Sequence, residues 1–154
     1  MNHNKRKVWV VVADASRARL FLAETPRGPL VELEDAVHSA ARLQDHELLS
    51  DRAGRAVDTQ GHHRHGMEAP TDPHDHEAQR FAHELAEHLH VHHNAHDFDG
   101  LVLVAPPRFL GLLREALDEQ VTKQVLASLD LDLTRIPSPA EVQSHLPDPI
   151  YSAI

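Results

Sequence analysis

The chain has 154 residues, no cysteine and a formal net charge of −9 with histidine neutral. That length suits one domain, the missing cysteines exclude a disulfide framework and thiolate chemistry, and the acidic balance argues against a generally basic nucleic-acid surface. Fifteen histidines qualify the charge: at about pH 6.5 roughly half of unperturbed imidazoles are protonated, so surface contacts are expected to change with pH.

The first residues, MNHNKRK, are basic and lead into an apolar run of about six, shorter than the roughly 7–15 of a signal-peptide core. No segment approaches the roughly 20 apolar residues of a membrane span. The expectation is a soluble cytoplasmic protein without a membrane span.

Residues 7–13 (KVWVVVA) are rich in β-branched side chains and read as a strand. Asp14-Ala15-Ser16-Arg17 is a turn candidate, because Asp and Ser side chains bond their own backbone. Strand character resumes over 18–23, which predicts a hairpin. After a second turn at 25–29, residues 30–37 (LVELEDAV) alternate apolar and acidic, the mark of a half-exposed strand.

Residues 38–70 keep no period and form a long Arg/His/Gly-rich loop carrying Arg42, Arg52, Arg55 and Arg64. A loop of this length signals function or disorder; within it, 43–49 could turn helically. Asp72 then serves as an N-cap and Pro73 suits N1, with Asp75 and Glu77 in the negatively charged first turn. Phe81, Leu85 and Leu89 form a stripe at i, i+4 and i+8, and the helix ends within 94–100.

Residues 101–105 (LVLVA) are a short, wholly apolar run stopped by Pro106-Pro107. The run and the change of period after it predict a strand buried on both faces. A helix follows at once, with Leu110, Leu113 and Leu117 on one face. Arg108 falls at its N-terminus, beside the carboxyl ends of the strands, where open α/β sheets gather ligands and helix ends favour anions. Residues 124–133 are ambiguous, with strand-like alternation in their second half. Ser138, Pro139 and Glu141 spell a capping box, and 147–154 reads as a loose tail. The alternation predicts one α/β domain over 1–154, three-layered, its mixed sheet opening with an antiparallel hairpin.

Three groups of residues are candidates for chemistry. His88 and His92 stand at i, i+4, the spacing that lets two imidazoles share Zn, Ni or Cu, with Glu84 a turn before. A solvated histidine-rich face explains the same pattern, and adventitious divalent metal fits both. Asp14 ends the first strand, where an acid in ribonuclease-H-like sheets binds a metal; Glu32, Glu34 or Asp99 would be its partners, and an Asx-type turn is the plainer alternative. Arg52, Arg55, Arg64 and His65 place cations beside glycines, a combination suited to phosphate or an acidic partner. Solubilising charge explains them equally. P-loop, G-x-G-x-x-G and G-x-S-x-G motifs are absent from the sequence.

Residues 10–19 (VVVADASRAR), 50–55 (SDRAGR), 64–68 (RHGME), 101–112 (LVLVAPPRFLGL) and 132–134 (DLT) resemble, in order, the bacterial host attachment protein family, described as required for attachment to host cells. The histidines of 83–96 depart from that pattern. The family in turn resembles the middle domain of archaeal and eukaryotic peptide-release factors, a ribonuclease-H-like fold, which implies work on ribosomes or tRNA. The release factors' Gly-Gly-Gln is missing, so peptide release by that route is not implied.

Taken with the charge clusters, the resemblance implies a non-enzymatic, translation-associated protein that affects attachment indirectly. Its acidic or phosphate-bearing partner, such as ribosomal RNA or tRNA, would meet Asp14, Ser16, Arg17, Arg52, Arg55, Arg64, His65 and Arg108. A metal-dependent hydrolase or nuclease using Asp14 or the histidine helix, and a histidine-rich metal-binding or pH-sensitive module, remain as alternatives. Oligomeric state is left open.

Overall fold

The computed structural model describes residues 6–34, 36–39 and 73–152. Leu43–Leu49, Asp72 and the arginine loop with Arg42, Arg52, Arg55, Arg64 and His65 lie outside the described residues. Among the described residues the elements are, in order, β1 (Val8–Ala13), β2 (Arg17–Ala23), β3 (Val31–Glu32), β4 (Val37–His38), α1 (Pro73–Asn94), β5 (Gly100–Val104), α2 (Pro107–Ala116), α3 (Glu119–Thr122), β6 (Val125–Leu129) and α4 (Pro139–Ser144). The sheet runs β3-β2-β1-β5-β6, with β4 also on β2.

The hairpin forms as expected, from Val8 opposite Ala23 to Ala13 opposite Ala18. β1 pairs parallel to β5, and β5 parallel to β6, so the sheet is mixed and the fold is α/β. Residues 30–37 are not one strand. They pair with β2 as two short pieces, Glu32 with Phe21 and Val37 with Ala18, and Val31 is 54% exposed. Both residues of β3 are exposed, so the apolar–acidic pattern marks neither a buried face there nor a continuous ladder.

Every residue of β1 and β5 is buried, and the period of two splits them between two cores. Trp9, Val11, Leu101 and Leu103 pack with Phe81, Leu85 and Leu89 of α1 and Leu110 and Leu113 of α2. Val8, Val10, Val12, Val102 and Val104 pack with Leu133, Val142, Leu146, Ile150 and Tyr151. Among the described residues, one face is therefore covered by α1 and α2 together with Val121 of α3, and the other by the C-terminal segment. That corrects the expectation of a loose tail through 152: Ile150 and Tyr151 are each 3% exposed, and Ile150 N–H donates to Pro26 O at 2.9 Å.

The local signals hold where they are strongest. Pro107 opens α2 behind the N-cap Pro106. Ser138 caps α4 by accepting from Glu141 N–H at 3.2 Å and lies 3.3 Å from the Glu141 carboxylate. The ambiguous 124–133 stretch supplies β6 from its first half, Val125–Leu129, while the alternating residues 130–133 form no strand. Two residues past the end of α1 the chain turns at a left-handed residue, His96 (φ 62°), with Asp97 N–H donating back to His92 O at 2.9 Å. Such a position normally favours glycine.

Candidate functional site

The carboxyl ends of β1 and β5 meet the N-terminal turns of α1 and α2 at one groove. It encloses about 430 Å³ and is lined by Asp14, Ala15 and Ser16 from the β1–β2 turn, Asp75 and Ala78 from α1, and Pro106, Arg108, Phe109 and Leu112 around α2. Strand geometry puts it there: β1 and β5 run parallel in register, Val12 beside Val104, so the turns leaving both strands emerge side by side. Ala78, Phe109 and Leu112 give an apolar wall, while the charged groups stand on the rim. Arg108 Nη2 lies 2.6 Å from Asp75 Oδ2, with the arginine side chain 71% exposed. Solvent-exposed pairs of this kind contribute about 0–1 kcal/mol, so Arg108 can exchange Asp75 for another anion.

Asp14 is held differently. Its Oδ1 accepts from Ser16 N–H at 2.9 Å and Arg17 N–H at 3.0 Å, the Asx-type turn that the plainer reading expects. Its Oδ2 lies 3.0 Å from the Thr134 hydroxyl and 3.2 Å from Arg17 Nε. Thr134 is 5% exposed, and its hydroxyl also lies 3.0 Å from Asp132 Oδ1. One hydroxyl carries one proton, so it donates to one carboxylate at a time. Both Asp14 oxygens thus face donors from the chain itself, and the side chain ties the β1–β2 turn to the segment that crosses back from β6. Of its three expected acidic partners two are engaged elsewhere: Glu32 pairs with Arg19, and Asp99 accepts from Lys7 N–H at 3.0 Å.

Behind Asp14, Arg19 clamps the same crossing segment. It grips Glu32 with two nitrogens at 2.9 Å each and donates to Thr134 O at 3.2 Å and Ile136 O at 2.5 Å. Its guanidinium lies 5.1 Å from the Phe21 ring centroid. Hydrogen bonding to Arg19 holds the Glu32 carboxyl below its ordinary value against the opposing effect of burial, and the same bond raises Arg19.

The structure brings Asp14, Ser16 and Arg108 to one groove and places Arg17 just behind it. His88 and His92 also come together, ring centroids 4.6 Å apart. His92 Nδ1 is 2.7 Å from Asp97 Oδ2, and its ring packs 4.9 Å from Trp9. Among the described residues no group of three or more His, Asp or Glu side chains is arranged to hold a metal ion. Sequence reasoning missed the pairing of Asp75 with Arg108 and the lock of Thr134 on Asp14. The 132–134 motif was a signal for the second; nothing local signals the first.

Compared with known families, residues 9–146 match the model described as protein required for attachment to host cells. The chain belongs to this host attachment family. The match spans Asp14, Asp75, Arg108 and Thr134, and stops short of Ile150 and Tyr151, which complete the second core. No match was found among curated proteins. Among the described residues no helix is long and apolar enough to cross a membrane.

Proposed function

We propose that this host attachment protein works by binding, without catalysis, and that the carboxyl-edge groove receives a phosphate-bearing partner of the ribosomal RNA or tRNA class. The observation that carries the reading is Arg108: a 71%-exposed cation on the groove rim, at the N-terminus of α2, whose only described ion-pair partner is the partly buried carboxylate of Asp75. Guanidinium groups suit phosphate oxygens, to which they can present two parallel donors. Phe109 is 3% exposed and offers no open ring for base stacking, so the contact is to backbone phosphates. A release-factor-like, ribonuclease-H-like fold belongs to the same proposal, as does a cytoplasmic site of action that affects attachment indirectly through translation.

Arg52, Arg55, Arg64 and His65 are proposed to supply further cations to the same partner. Asp14, Ser16 and Arg17 shape the groove, with Asp14 acting as a structural acceptor. The test is ribosome co-sedimentation and tRNA gel shift with wild type, Arg108→Ala and Arg52→Ala/Arg55→Ala. Salt-sensitive binding weakened by both variants supports the reading; binding that is absent in wild type, or unchanged in both variants, removes it.

A further inference from the structure

The two edges of the sheet are unlike. On one side β3 and β4 are two residues each, separated by a stretch that includes Glu34, with the charged Glu32 in β3. Short, charged edges resist pairing with another chain. On the other side β6 is five residues, VLASL, without a charge or a proline, and each of its side chains is only partly buried. Leu131, just beyond it, is 37% exposed.

The ladder fixes which backbone groups of β6 are committed. Leu129 O accepts from Ala105 N–H at 3.1 Å, and Ser128 stands opposite Leu103. Successive residues of a strand turn their N–H and C=O to opposite sides. Since Leu129 addresses β5, Ser128 turns its N–H and C=O to the outer edge, where no strand lies among the described residues.

We infer that β6 is the interface through which two copies of this chain associate, their strands pairing antiparallel about a two-fold axis near Ala127. The flanking charges select this partner and direction. Lys123 precedes the strand and Asp130 and Asp132 follow it, all three exposed. Antiparallel pairing lays the Lys123 end of one copy along the Asp130 and Asp132 end of the other, twice by symmetry; parallel pairing would set like charges together. Leu131 of each copy would be covered at the same time. A two-fold contact of this kind is self-complementary and closes at a dimer. With one short strand from each side the association is weak and concentration-dependent.

The test is sedimentation equilibrium of the full chain over a wide range of concentration. Wild type is expected to shift from monomer to dimer. Ser128→Pro removes an outward N–H without touching a β5 bond, a placement that edge strands tolerate, and is expected to stay monomeric. Lys123→Asp is an independent, exposed variant that serves if Ser128→Pro fails to fold. It is expected to lose the dimer, and adding Asp130→Lys to it is expected to restore the dimer. A wild type that stays monomeric at every concentration overturns the inference, as does a dimer unaffected by Ser128→Pro or by Lys123→Asp.

Discussion

The Thr134 hydroxyl lies 3.0 Å from Asp14 Oδ2, joining residues 120 positions apart. This contact fixes the end of β1 to the segment that closes the second face, and so sets one wall of the groove. Thr134→Val keeps the shape and removes the donor. Hydrogen bonds to charged groups contribute about 1.5–3 kcal/mol, so chemical denaturation is expected to show a loss in or just below that range. An unchanged denaturation midpoint would mean that the contact is not made in solution.

Glu32 gives stability a pH dependence of known sign. Its carboxyl is held below the ordinary value of 4.5 by Arg19, so the folded state favours the ionised form more than the unfolded chain does. The stabilisation is complete above the ordinary value and is lost as pH falls through the depressed folded value. Asp118 acts in the same direction: its carboxyl is lowered chiefly by the Val121 N–H it caps, against desolvation, and further by the charge of His90. Glu32→Gln is expected to flatten the fall of stability below the ordinary value of 4.5, and Asp118→Asn the fall below its own ordinary value of 3.8, each measured as thermal midpoint against pH. A slope as steep as that of wild type in both variants would contradict this.

Much of the fold is legible in the sequence because its strongest signals are local. The β-branched run of β1, the Phe81–Leu85–Leu89 stripe and the Pro106-Pro107 boundary each report a structure made by near neighbours. The packing of the tail is not legible locally, because Pro147 and Pro149 advertise a break, while the burial of Ile150 and Tyr151 is decided by the opposite face of β1. Val8, Val10 and Val12 carry the missing clue: three apolar side chains on that face require a cover. Of the site, Arg108 and the Asp14 turn were readable from position. Asp75 was visible only as first-turn charge, since its partner comes from another helix.

His96 offers a test of the end of α1. A non-glycine residue in the left-handed region is disfavoured by about 1–2 kcal/mol, and glycine recovers part of this against its own entropy cost. His96→Gly is therefore expected to stabilise the protein by about 1 kcal/mol, read from the urea midpoint. Destabilisation would show that the His96 side chain holds the turn.

Leu85 tests the packing of α1 on the sheet. It is wholly buried beside residues of α2 and the sheet. Leu85→Ala is expected to cost about 2–5 kcal/mol, whereas His83→Ala, on the exposed face of the same helix, is expected to change stability by less than about 0.5 kcal/mol. Equal effects in urea denaturation would contradict the assignment of faces.

Arg108 carries the functional proposal, and the most direct measurement is the salt dependence of tRNA binding by fluorescence anisotropy, wild type against Arg108→Ala. Each phosphate contact contributes about one unit to the slope of log affinity against log salt. The expected result is salt-sensitive binding by wild type and, for Arg108→Ala, weaker binding with a slope shallower by about one unit. Wild-type protein that does not bind tRNA, or an Arg108→Ala variant with the same affinity and slope, would contradict it.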